Sequence, residues 1–505
     1  MEIFENNETN VKRFAKQMKN FIIIFAALTI WLSGCKHSIK ESHDLNAEPE
    51  IWPKYKDVTI PAEIAPLNFN LTGIPYNYLI LNVKGSKSGK LSYEGKYIDM
   101  DIDEWHNLTE QNKGGKLEFY LSFVKNGIKY NYKPFVMHVS EYELGEYGLT
   151  YRRIEPGYVS FRQMGIYCRN LSNFEENSIY KSSSVLGTCV NCHTSNMTNP
   201  DDFLFHIRGD KYGATVLNHN NKLNFYNTQT AKTLGLAVYP YWHKSGKFVA
   251  FSTNNTKQVF HSANVKRIEV FDLNSDLQIF NTETNEFILS KEIKNDTILE
   301  TFPAFSSDGK TLFFCETPKL PETFFIEDMK YYLMKADFDD ETGKITSKKD
   351  TLIKIDGKSI SFPRPSYDGK YLMFTACDYG TFPIWHKEAD LYLYNFQDST
   401  CRAIDEINSD DTESFHNWSK NSHWVVFASR RIDGLYTRLY IAQIDDNGKF
   451  SKPFLLPQRN PLKYYNELFD SYNTPDFTEK PVKVSEITLR KQIESCERTS
   501  VEATE

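Results

Sequence analysis

The sequence predicts a mainly β protein, with a small N-terminal β-sandwich followed by a β-propeller of five or six blades. Three observations carry this expectation. Aromatic residues make up 14% of the 505 residues, with 36 Phe and 30 Tyr, and such side chains pack well on a pleated sheet. Short alternating apolar runs recur at roughly 8–12-residue spacing between Gly, Asn and Lys breaks. A hairpin pattern then repeats four times from residue 239 onward. The length calls for more than one core, so two or three domains are expected. A net charge of −7 supplies no basic face, and nucleic acid is not an expected partner.

The first element is a targeting segment over residues 1–34. Lys12, Arg13, Lys16 and Lys19 precede the apolar run from Phe21 to Trp31. That run is short for a bilayer span and has the size of a signal-peptide hydrophobic region. It ends in Leu32-Ser33-Gly34-Cys35, which resembles a bacterial lipobox. The resemblance implies that Cys35 is lipidated and anchors an exported, envelope-located protein, with acyl chains replacing a membrane span. The competing reading is an uncleaved N-terminal anchor. Residues 35–50 are polar, without apolar periodicity, and read as a tether.

From 51 to 145 the chain alternates strands and turns. Tyr78-Leu79-Ile80-Leu81-Asn82-Val83 and Leu117-Glu118-Phe119-Tyr120-Leu121-Ser122-Phe123 are the clearest strands, and the spacing predicts the sandwich. Residues 146–235 read as a junction. It contains strands such as Phe203-Leu204-Phe205-His206-Ile207 and the pattern Cys189-Val190-Asn191-Cys192-His193.

The repeats occupy 236–460. Tyr239-Pro240-Tyr241-Trp242-His243-Lys244-Ser245-Gly246-Lys247, Phe302-Pro303-Ala304-Phe305-Ser306-Ser307-Asp308-Gly309-Lys310 and Phe362-Pro363-Arg364-Pro365-Ser366-Tyr367-Asp368-Gly369-Lys370 each lead into an apolar strand. A weaker copy begins at Phe415-His416-Asn417-Trp418. Each copy is a strand, a tight turn and a second strand. The starts lie 63, 60 and 53 residues apart, so loops must be larger than in a minimal blade of about 40–45 residues. Arg267–Leu273, Asp390–Asn395 and Arg438–Ala442 supply outer strands. These residues resemble the WD40-like repeat of TolB-type propellers over about 200–460, which implies radial closure of the sheets, further blades supplied by strands before 239, and a partner-binding role. Residues 461–505 read as a charged, partly helical tail.

Cys189, Cys192 and His193 carry the most specific chemistry in the sequence. Two thiols three positions apart can each add to a vinyl group of one haem, and the adjacent histidine then reaches the iron. The pattern resembles a c-type cytochrome attachment site. The resemblance implies covalent haem c, iron held by His193 on its proximal side, and electron transfer with a protein redox or envelope partner. His206 is the candidate distal ligand, with Met164 and Met197 as alternatives. A redox dithiol would sit between a strand and a helix, and a zinc site would need a second ligand pair; neither context is visible.

Other residues point to chemistry less strongly. His243, His261, His386 and His416 fall in repeat turns and loops, where they either line a channel or satisfy turn geometry. Ser429-Arg430-Arg431 either presents cations to an anionic ligand or is solvated surface charge, and the second reading is preferred. The five remaining cysteines, Cys168, Cys315, Cys377, Cys401 and Cys496, are scattered singly and define no disulfide framework. No hydrolase elbow, zinc-protease helix, phosphate loop or dinucleotide fingerprint occurs. The main expectation is therefore a lipid-anchored monohaem protein with redox service. The alternative is a non-catalytic propeller that scaffolds or binds partners in the envelope.

Overall fold

The computed structural model describes residues 39–156, 163–220, 222–261, 266–321 and 325–504. Cys35 and the signal segment lie outside the described residues. No helix among the described residues is long and apolar enough to cross a membrane.

The N-terminal unit is built on one seven-stranded sheet. Its central strand, Gly115–Lys125, pairs along one edge with Tyr78–Gly85. Its other edge is shared by Phe135–Val139 and Ile128–Asn131. A strand of eleven residues is long enough to hold two partners end to end, so these strands join one sheet where a two-sheet sandwich was expected. The covering layer comes from the 51–71 segment and a helix over Ile102–Glu110, which share an apolar core with the sheet. Asp101 caps the helix by accepting from the Asp103 and Glu104 amides. Trp105 and Leu108, three residues apart, bury its inner face. Within the expected tether, Glu41–Asp44 forms an exposed edge strand parallel to Ile128–Asn131. Backbone pairing, with Asn131 donating to Ser42 and Asp44, holds this edge and leaves no apolar signature in the sequence.

The rest is a six-bladed β-propeller. Blade 2 runs over 189–227, blade 3 over 237–288, blade 4 over 298–353, blade 5 over 359–403 and blade 6 over 413–455. In each of these the first strand is innermost and successive strands pair antiparallel outward. Blade 1 differs. Its outer three strands are Gly148–Ile154, Gly165–Asn170 and Glu176–Lys181, while its innermost strand is Ser471–Thr478 from the far end of the chain. This pairing closes the ring and removes two sheet edges.

The propeller therefore begins well before the expected boundary at 236, and the 461–505 segment does more than trail. Neither early blade carries the Ser-x-Asp-Gly turn that marks the repeats. Blade 1 takes its inner strand from elsewhere, and blade 2 turns through Met197 with φ at 54°. Beyond the closing strand, the helix Glu486–Ser495 buries Leu489 and Ile493 in the core shared by blades 1 and 2. Thr499–Ser500 and Glu502–Thr504 then add parallel strands to the outer rims of blades 2 and 3.

The repeated turn is a small hydrogen-bonded unit. In blade 4, Ser306 donates to Asp308, the Lys310 amide donates to Asp308, and the Thr311 amide donates to Ser306. Blade 5 repeats this with Ser366 and Asp368, and blade 6 with Ser419 and Asn421. In blade 3 the pair is His243 and Ser245. The N-terminal unit is fused to this ring rather than hinged from it. Tyr55 donates to the Leu455 carbonyl, Trp424 donates to the Glu143 carbonyl, and Tyr142 stacks on His423 at 3.8 Å.

Candidate functional site

Each inner strand breaks its pairing at one equivalent point. The register shifts fall at Asn191/Thr194, Val238/Tyr241, Thr301/Ala304, Ser361/Arg364 and Ser414/Asn417, and opposite Thr150/Arg152 in blade 1. At each shift one residue takes a left-handed backbone conformation: Cys192, Tyr239, Phe302, Phe362, Phe415 and Thr474, with φ between 46° and 54°. Such a conformation costs a side-chain-bearing residue about 1–2 kcal/mol, and six in one ring are held only because the blades overdetermine them. A bulge re-aims a side chain out of the ladder. Here all six line one axial cavity with about 860 Å3 of empty space, counting its open mouth.

The girdle is unequal around its circumference. Tyr239, Phe302, Phe362 and Phe415 form a run of touching rings, with centroids 4.5, 4.3 and 4.9 Å apart in turn. Thr474 and Cys192 complete the circle with small polar side chains. After the bulge comes Pro in four blades (Pro240, Pro303, Pro363 and Pro475) and His in two (His193 and His416).

Among the described residues three charged side chains line the cavity. Arg152 donates to Asn191. Arg364 lies over the Tyr241 ring at 5.3 Å, donates to the Pro363 carbonyl at 2.9 Å, and lines both this cavity and a second one toward the hairpin turns. Asp476 accepts from Asn417, and burial pushes its carboxyl up to about 6. His416 is buried, with only poorly aligned backbone groups of Phe362 and Met373 beside its ring. Burial pushes both His416 and His193 down to about 3, so both are neutral imidazoles near neutral pH.

An extended arm packs against the outside of the cavity wall. The second and third strands of blade 3 stay paired out to Phe260 and Ile268, far beyond the blade. This arm passes blade 4 and packs Ile268 against Ile384 and Trp385 of blade 5. Phe382 and Phe415 belong to that contact and also to the cavity wall. A polar latch flanks it: His261 Nε2 lies 2.6 Å from Glu269, Tyr379 donates to Glu269, and Lys266 meets Glu388 at 3.5 Å.

The residues singled out by sequence are dispersed by this geometry. Cys192 and His193 line the cavity, whereas Cys189 lies outside it, packed against the core of blades 1 and 2. The His193 ring packs on Phe203 with 6.1 Å between centroids. Phe203 and His206 are three residues apart on one strand and so leave opposite faces. His206 accordingly lies beside Phe251 of blade 3 and bonds Thr215 at 2.8 Å. Met164 is core filler, and Met197 lines the second cavity. The thiols do not share one compartment, and the two histidines sit on opposite faces of blade 2. As placed, Cys189, Cys192, His193 and His206 do not surround one space that would take a haem.

The remaining candidates divide. His243 serves its turn and bonds the Gly309 carbonyl at 3.1 Å. His261 and His386 sit in or beside the latch, and His416 alone of the four lines the cavity. Arg430 and Arg431 are not solvated charge: Arg430 stacks on Trp385 at 3.2 Å, and Arg431 pairs with the buried Glu413 at 2.8 Å. Sequence reading missed Arg152, Arg364, Asp476 and the girdle. The usable signal was the aromatic-Pro or aromatic-His dipeptide at a fixed offset before each turn. Asn191-Cys192-His193-Thr194 is blade 2's version of Ser414-Phe415-His416-Asn417.

No protein-family profile matches the chain. No curated protein matches it in sequence either. Among solved structures it is similar to TolB from Acinetobacter baumannii at 12% identity and a TM-score of 0.42, covering 75% of this chain and 86% of that one. TolB from Agrobacterium tumefaciens aligns at 14% identity and 0.36, over 61% and 88% of the two chains. Prolyl oligopeptidase B from Galerina marginata aligns at 8% identity and 0.35, over 77% and 61%. These are likenesses of fold.

Proposed function

We propose that the chain is a non-catalytic binding protein of the cell envelope, anchored through Cys35, whose propeller holds a ligand in its axial cavity. The observation that carries this reading is the girdle: six blades each hold one residue in a strained conformation around a single cavity. Strain of this kind is concentrated at ligand clamps and similar sites, and a largely apolar cavity with a few convergent polar groups is the usual form of a ligand site. The anchor rests on the lipobox-like Leu32-Ser33-Gly34-Cys35.

Fractionation and spectroscopy of the full exported chain test both parts. The protein is expected in the membrane fraction, with Cys35→Ala moving it to the soluble fraction. Its reduced-minus-oxidised spectrum is expected to be featureless near about 550 nm, the usual c-type position. A covalent haem band there would overturn the binding reading in favour of electron transfer through Cys189, Cys192 and His193. Retention of Cys35→Ala in the membrane would remove the lipid anchor from the proposal.

A further inference from the structure

The chemistry of the cavity wall is lopsided in charge as well as in shape. Among the described lining residues the charged side chains are Arg152, Arg364 and Asp476, two positive against one negative. Asp476 is already engaged by Asn417. Arg364 is half-buried in the body of the molecule, and its guanidinium donates to the neighbouring Pro363 carbonyl. Among the described residues no carboxylate lies in ion-pair contact with it. A guanidinium presents a planar fork of donors suited to a two-oxygen anion, and stacking on Tyr241 fixes its plane.

Beside this cation, the run from Tyr239 to Phe415 offers a continuous apolar wall, and His416 adds an imidazole with no well-aligned partner. An aromatic wall by itself would also suit an organic cation. Two arginines against one engaged acid make a cation the disfavoured guest.

We infer that the axial cavity takes a small organic anion, its acid group held at Arg364 and its apolar or aromatic body laid against the Tyr239-Phe302-Phe362-Phe415 wall. The inference rests on the cavity being a binding site and specifies what that site selects. One charge-assisted contact of this type shifts a binding constant roughly ten- to a hundredfold.

Two fluorescent probes of nearly the same body separate the terms: anilinonaphthalene sulfonate, which is anionic, and phenylnaphthylamine, which is not. Titrated into the full-length protein, the sulfonate is expected to bind once per chain and at least about tenfold more tightly than the amine. Arg364→Gln is expected to bring the two affinities together, Arg364→Lys to keep part of the difference, and Phe302→Leu to weaken both probes alike. Equal affinities for the two probes in the wild type would overturn the anion assignment and leave the cavity as a binding site. So would an unchanged ratio in Arg364→Gln. Failure of both probes to bind would overturn the cavity reading and this inference together. The wild-type ratio decides the question even if a variant misfolds.

Discussion

At the scale of single residues, packing around the repeated turn sets a sharp test. Gly309 holds φ at +78°, and a Cβ there would come within 2.1 Å of His243 Nε2. Gly357 holds nearly the same φ, +76°, with nothing within 4 Å of its Cβ position. Alanine at either position meets the backbone cost of about 1 kcal/mol; only Gly309→Ala also displaces a buried histidine. Urea unfolding is expected to show Gly309→Ala less stable than Gly357→Ala by about 1–3 kcal/mol, and equal losses would show that His243 yields freely. A second test concerns protons. Burial holds His206 down to about 3, against an ordinary value near 6.5. The unfolded chain therefore binds that proton more tightly. The stabilisation is full above about pH 6.5 and is lost as pH falls toward about 3, on the order of 2 kcal/mol between pH 7 and 5. Glu300 works in the opposite sense, since burial raises it to about 8 and its contribution fades as pH rises. A variant isolates the histidine: His206→Asn is expected to show a pH dependence of unfolding shallower by about that amount. Parallel curves would mean that His206 is not held neutral.

At the scale of elements, the inner strand of a blade shows what a sequence reveals and what it hides. The hairpins of blades 3, 4 and 5, and more weakly blade 6, were legible because Gly246, Gly309, Gly369 and a Ser-x-Asp or Ser-x-Asn turn punctuate them locally. The bulge within the same strands was not. A left-handed Phe302 or Tyr239 leaves no mark when read singly, because its conformation is imposed by neighbouring blades. The same blindness explains Cys192-His193. Read along the chain, it resembles a haem attachment site; read across blades, it occupies the place of Phe302-Pro303 and Phe415-His416. The helix over Ile102–Glu110 was legible in principle, since Asp101 and the early acids Asp103 and Glu104 mark its start. Short alternating strands on either side concealed it. The arm of blade 3 illustrates the limit in another way. Its strand pattern was readable at Arg267–Leu273, but nothing local shows that the pair overshoots its blade to meet Trp385.

At the scale of the whole molecule, closure depends on pairing between Gly148–Ile154 and Ser471–Thr478, more than three hundred residues apart. No local propensity announces such a contact, which is why the propeller's first and last strands lay outside the expected boundaries. Truncation separates the parts of the terminal segment. A chain ending after Thr478 is expected to fold with lower stability, since it loses Leu489 and Ile493 from the core of blades 1 and 2. One ending after Asp470 is expected to fail by circular dichroism and size-exclusion chromatography. A folded, monodisperse protein from the shorter chain would show that blade 1 stands without its inner strand. That strand has a consequence for biogenesis. It follows every other blade in the chain, and it carries Thr474, Pro475 and Asp476 into the cavity wall. A product cut short anywhere before it presents two unpaired sheet edges and an incomplete wall, the features on which quality-control proteases and chaperones act. A chain must therefore reach residue 478 before it can both hide its sheet edges and complete the cavity wall.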